Sequence, residues 1–126
     1  MLVLDSDVLI DVQRSHAPAV AWFAGLSEMP RVPGLVLMEL IQGANNARQV
    51  REVLDLTAPF TVVWPTTDDC QRALTDFVAH RVANGLGLLD SLIAACAVGL
   101  SAELCTFNEK HFRMISGLKT VRPYQR

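Results

Sequence analysis

The chain has 126 residues, 51% of them hydrophobic and only 6% aromatic, so one domain with a largely aliphatic core is expected rather than disorder. The net charge of −2 hides an asymmetry: residues 110–126 hold five of the 11 basic residues and no acid, leaving the other six against all 13 acids in the preceding body, a balance that suits both a metal and a phosphate chain. Cys70, Cys96 and Cys105 are widely spaced with no Cys-x-x-Cys pair, which argues against a zinc site or a disulfide framework and for reduced thiols in a cytoplasmic protein; no secretory leader is seen, and the longest apolar stretch, 85–104, is broken by Asp90 and Glu103 and reads as too polar to span a membrane.

Taken in order, the chain opens on an apolar strand around Val3 and Leu4 that stops at Asp5. Ser6 or Asp7 can cap a helix running to about Arg14. Pro18 suits the first turn of a second helix, with Val20, Phe23 and Leu26 as its inward stripe. A short strand follows at 31–33. Residues 34–43 form a helix apolar nearly all round, which predicts burial, yet Glu39 sits in its middle. A further helix to about Leu56 turns Val50, Val53 and Leu54 inward. Residues 60–64 are the clearest strand, closed by Pro65. The next helix, ending near Gly85, places Cys70, Ala73, Leu74, Phe77, Val78 and Val82 at helical spacing. Residues 88–100 form a second almost wholly apolar helix whose exception, Asp90, lies in the first turn. A strand at 103–107 leads straight into Asn108 and Glu109, one short helical turn, Gly117, and a last edge strand at 119–122. Strands alternating with helices imply an α/β fold with a parallel sheet covered on both faces.

Ligands of an open parallel sheet bind beyond the carboxyl ends of its strands. Asp5 and Asn108 both follow strands, Asp90 opens a buried helix and Glu39 interrupts another, so four distant segments can bring these residues to one edge. Three carboxylates together need a cation, and hard oxygen donors suit Mg²⁺ or Mn²⁺. Each residue also has a plainer reading. Asp5 and Asn108 can be turn residues, Asp7 and Asp90 helix-start residues, and Glu39 the partner of a buried arginine. Asp11 reads as a solvated helix residue. His16, His80 and His111 have no metal-ligand spacing and read as surface residues or as supports behind a ligand.

The combination carries a resemblance. Leu4-Asp5-Ser6-Asp7-Val8-Leu9-Ile10-Asp11 resembles the opening of PIN-domain proteins. Met38-Glu39-Leu40 with Gly43 resembles their second acidic motif, and residues 87–95, with Asp90, resemble the third. Thr106-Phe107-Asn108-Glu109-Lys110-His111-Phe112 with Gly117-Leu118 resembles the closing motif of VapC-type toxins. The motifs run the length of the chain in the family's order.

The resemblance implies a three-layer α/β/α fold, a central mostly parallel sheet of four to five strands, and a single PIN domain over residues 1–126. It implies an Mg²⁺-dependent endoribonuclease, with Mn²⁺ able to substitute, in which Asp5, Glu39 and Asp90 hold the metal. Asn108 stands where much of the wider superfamily has a fourth acid, leaving Asp7 or Glu109 to take that place. Ser6 and Thr106 would orient ligands or water, and Lys110 and Arg113 would hold the RNA backbone. Hydrolysis would leave a 5′-phosphate and a 3′-hydroxyl. The target would be a structured RNA such as tRNA or rRNA, cut in a single-stranded loop. The partners implied are a VapB-like antitoxin, through which alone DNA would be contacted, and a second copy of the chain. Two rivals remain at this point. One is a PIN fold that holds RNA or antitoxin without cutting, which the neutral Asn108 favours. The other is a haloacid-dehalogenase-type phosphatase with Asp5 as nucleophile and Asp7 as acid/base, for which the expected later Lys and acidic pair are not found.

Overall fold

A computed structural model describes all residues, 1–126. Five three-residue strands build one sheet: β1 (Leu2–Leu4), β2 (Arg31–Pro33), β3 (Thr61–Val63), β4 (Glu103–Cys105) and β5 (Lys119–Val121). Their order is β3-β2-β1-β4-β5 and every pairing is parallel. The helices are α1 (Ser6–Gln13), α2 (Ala17–Ala24), α3 (Gly34–Gln42), α4 (Ala47–Thr57), α5 (Thr67–Asn84), α6 (Leu88–Gly99) and the single turn α7 (Glu109–Phe112). The three-layer arrangement expected from the alternation is present. β1 lies at the centre because Val3 and Leu4, like Val32, Leu104 and Cys105 beside them, are fully buried between the helical layers, as both faces of a parallel sheet demand.

Local signals set several boundaries. Thr66 and Asp69 form a reciprocal capping box at the start of α5. Gly85, at φ +70, ends that helix in the left-handed conformation. The Asp69 side chain of α5 lies against α6 at Gly99, where a Cβ would collide with its buried carboxylate. Gly34 admits the Trp64 ring in the same way.

Some expectations from periodicity are corrected. The clearest strand, 60–64, pairs only over Thr61–Val63 at the sheet edge, and Trp64 is 57% exposed. The strand at 103–107 stops at Cys105: Thr106 still donates its N–H to the Val121 carbonyl, but the Phe107 N–H turns away to the Asp7 carboxylate. The helix expected to be buried all round, α3, packs Val36 and Leu40 inward but exposes Met38. On α2, Ala19 is buried and Val20 is exposed; on α4, Val53 is buried and Leu54 exposed. The stripe on α5 faces outward at Cys70, Leu74, Val78 and Val82, the last 97% exposed, and only Ala73 and Phe77 of that set pack inward. Helical spacing identifies a face without saying what lies opposite it.

Candidate active site

The site begins where β1 ends. Asp5 donates its backbone N–H to the Cys105 carbonyl at 3.0 Å, a continuation of the β1–β4 pairing. It then leaves the sheet as the N-cap of α1, its Oδ1 accepting from Ser6 N at 2.8 Å. At the end of β4, the fully buried Thr106 donates its hydroxyl to Asp5 Oδ2 at 2.9 Å and accepts the Asn108 N–H at 3.0 Å. Two neighbouring parallel strands thus bring residues 5 and 106 together at their carboxyl ends.

Asp7 faces the same loop from the first turn of α1. Its Oδ2 accepts from Phe107 N at 2.8 Å and lies 3.4 Å from both Thr106 Oγ1 and Asn108 Nδ2. Its Oδ1 is buried and has no hydrogen-bond partner. Glu39, from the middle of α3, likewise has a buried and unpartnered Oε1. Asp90 is half-buried in the first turn of α6, with His111 Nδ1 3.8 Å from its Oδ2.

The carboxyl groups disfavour one another's ionisation. Asp5 is pushed from its ordinary 3.8 up to about 7, first by burial, then by the Asp7 charge, with a smaller contribution from Asp90. Asp90 is raised by burial first and by the charges of Glu39 and Asp7, against the opposing influence of His111. Burial also raises Asp7, partly offset by the hydrogen bond from the Phe107 backbone N–H. These are the signatures of carboxylates gathered without enough counter-charge. The acids approach without closing into a cage: no three acidic, histidine or cysteine side chains converge at metal-ligand spacing. Beside them opens a cleft of about 600 Å³ between α1, α3 and α4, lined on its polar side by Ser6, Gln13, Arg14, Glu39, Gln49 and Glu52.

The PIN domain family profile matches residues 2–117. Ribonuclease VapC10 of Mycobacterium tuberculosis is 37% identical over 94% of this chain and 91% of its own. Ribonuclease VapC19 of the same organism is 32% identical over 94% and 98%. A toxin–antitoxin complex from Klebsiella pneumoniae superposes with a TM-score of 0.79 at 25% identity, covering 100% of both chains. The chain belongs to the VapC ribonucleases of the PIN-domain family.

Membership removes the phosphatase alternative. The PIN fold brings Asp5, Asp7, Thr106 and Asn108 into one hydrogen-bonded group, places Glu39 and Asp90 within electrostatic reach of it, and sets Lys110 and Arg113 on the exposed surface just after it. Glu109 does not join that group: its Oε1 lies 3.6 Å from Arg122 Nε. The donor set fits a hard divalent cation, since all the donors are oxygens and two of them are buried without a hydrogen-bond partner.

Asp11 requires correction. It is 8% exposed rather than solvated, and its carboxylate accepts from Tyr124 Oη at 2.8 Å and from Arg126 Nε and Nη2 at 3.0 and 3.1 Å. The arginine holds its carboxyl below the usual range. Arg126 also lies over the Phe107 ring, 4.5 Å from its centroid, so the chain's last residues buttress the loop that carries Thr106 to Asn108. Tyr124 and Arg126 were not among the expected site residues, and their only sequence signal is the basic character of the tail. Of the histidines, His80 bonds Asn84 Oδ1 on α5 and His111 stands near Asp90.

Proposed function

We propose that this PIN domain, residues 1–126 acting as one unit, is an Mg²⁺-dependent endoribonuclease toxin whose cleavage of a structured RNA stops translation and growth. The observation that carries the reading is the pair of buried, unpartnered carboxylate oxygens, Asp7 Oδ1 and Glu39 Oε1, beside an Asp5 that resists ionisation. A buried anion without donors is costly, and a cation among such anions removes that cost. The ribonuclease names of the two mycobacterial relatives support the substrate class.

In this reading Asp5, Glu39 and Asp90 hold Mg²⁺, with Mn²⁺ able to substitute. The bound ion would lower the pKa of water and stabilise charge on the scissile phosphate. The chain's own residues prepare the site. The Ser6 N–H and the Thr106 hydroxyl fix both oxygens of Asp5 in direction. Asn108 anchors the β4 loop by donating its N–H to Thr106. Asp90 is the acid nearest His111, whose protonated form counters its charge. Lys110 and Arg113, exposed beyond the closing motif, hold the RNA backbone.

The Klebsiella pneumoniae neighbour is described as a toxin–antitoxin complex, which supports an antitoxin as the neutralising partner; in this reading the antitoxin is VapB-like and it alone contacts DNA. The outward apolar stripe Leu74–Val78–Val82 on α5 suits a second copy of the chain. Val78→Asp should then lower the mass seen in sedimentation, and an unchanged mass would remove that surface from consideration.

The deciding experiment incubates the protein with total RNA in Mg²⁺, in Mn²⁺ and with chelator, and maps RNA ends. Cleavage that needs the metal and leaves 5′-phosphates is expected. Intact RNA in both metals would leave a fold that binds RNA or antitoxin without cutting.

A further inference from the structure

Three donors reach Asp7, and all three reach the same oxygen. Phe107 N, Thr106 Oγ1 and Asn108 Nδ2 lie 2.8, 3.4 and 3.4 Å from Oδ2, while the buried Oδ1 has no partner. The Thr106 hydroxyl has one proton to give, and Asp5 Oδ2 at 2.9 Å is its nearer acceptor. Asp5 and Asp7 therefore flank a single hydroxyl, and the buried Oδ1 of Asp7 is left to another positive partner. Asn108 explains its own identity here. Its amide is a donor facing Asp7 Oδ2; an aspartate in its place would set carboxylate against carboxylate.

We propose that Asp7 supplies the fourth carboxylate of the metal centre through its free Oδ1, held in place by the Asn108 amide at its other oxygen. The proposal rests on the metal-dependent reading above and deepens it. It makes residues 7 and 108 a matched pair: acid with amide functions in either order, acid with acid is strained without metal, and amide with amide lacks a ligand.

The test is Mn²⁺ binding by titration calorimetry on wild type, Asp7→Asn, Asn108→Asp and the double variant Asp7→Asn/Asn108→Asp. Asparagine at 7 still offers an oxygen to the Phe107 N–H, so the variant removes charge and leaves that bond available. The expected result is about tenfold weaker Mn²⁺ binding for Asp7→Asn, with most of that loss recovered in the double variant. Equal affinity in wild type and Asp7→Asn overturns the proposal and leaves Asp7 as a tether for the loop, or as a neutral acid that asparagine copies. A double variant no better than Asp7→Asn overturns the pairing. Wild type that binds neither Mn²⁺ nor Mg²⁺ overturns the metal-dependent reading itself, a different outcome from selective failure at Asp7. Should Asp7→Asn not fold, Asn108→Asp decides in melting experiments. Its metal-free midpoint should fall, and Mn²⁺ should raise it by more than in wild type; an equal rise overturns the proposal.

Discussion

The Thr106 hydroxyl donates to Asp5 Oδ2 at 2.9 Å across 101 residues of sequence. Both residues directly follow a strand, and both are buried. Thr106→Val keeps the shape and removes the only side-chain donor to that oxygen. It should destabilise the fold by roughly 1–3 kcal/mol and weaken metal binding, while Thr106→Ser keeps most of both. Thermal melting and Mn²⁺ titration of the two variants check this; a valine variant as stable as wild type would show the bond to be idle.

The pH dependence of the metal-free chain follows from Asp5. Its carboxyl rises from an ordinary 3.8 to about 7 in the fold, mainly through burial. The folded state therefore binds more protons than the unfolded state between those values, so this group's stabilising effect is complete below the lower one and is lost as pH climbs through the upper. Melting in chelator should show declining stability from pH 4 to 7, flattened in Asp5→Asn. Metal affinity should run the other way, rising over the same interval as protons cease to compete.

Charge removal at the acids separates fold from activity. Asp5→Asn, Glu39→Gln and Asp90→Asn should each abolish RNA cleavage and growth inhibition, a loss of at least about a hundredfold in rate, while melting without metal stays equal to or above wild type. Gel assays of RNA beside melting curves are sufficient. Full activity in Asp90→Asn would displace that residue from the proposed ligand set.

The Asp11 tether is a matter of stability. Arg126→Ala removes two charge-assisted hydrogen bonds to a buried carboxylate and should cost roughly 1.5–3 kcal/mol, read as a fall in melting temperature. Because the arginine depresses the carboxyl's pKa, the contribution is present above the unfolded value and fades as pH falls through the folded one. The gap between wild type and variant should therefore close in acid.

RNA binding should be strongly salt-dependent. Lys110→Ala and Arg113→Ala should each weaken binding to an uncleaved RNA, measured with the Asp90→Asn protein, and each should reduce the slope of log affinity against log salt by about 0.7. An unchanged slope in both would place the RNA path elsewhere, with Arg14 at the cleft mouth the next residue to test.

The sheet, its parallel sense and the strand-end position of Asp5 were legible because short apolar runs alternate with helical patterns and stop at polar residues, whereas Asn108, expected directly after a strand, lies two residues further on as the N-cap of α7. Glu39 and Asp90 stood out because each is a lone acid in a helix of otherwise apolar sequence. The outward face of α5 was not legible: Cys70, Leu74, Val78 and Val82 have the same spacing as a buried stripe, and only the packing of Ala73 and Phe77 shows which side turns inward. Asp11 was misread for a different reason. Its partners Tyr124 and Arg126 lie 113 and 115 residues away, a separation that no local pattern encodes.

The Asp5–Thr106 bond also sets an order in time. Thr106 is synthesised 101 residues after Asp5. At about 5–20 residues per second, a nascent chain spends on the order of 5–20 s with the first carboxylate made and the group around it incomplete. Neither β4 nor the loop after it exists in that interval, so the site cannot assemble on a partly made chain. The proposed cleavage activity would thereby be withheld from the nascent chain at least until Thr106 has been added.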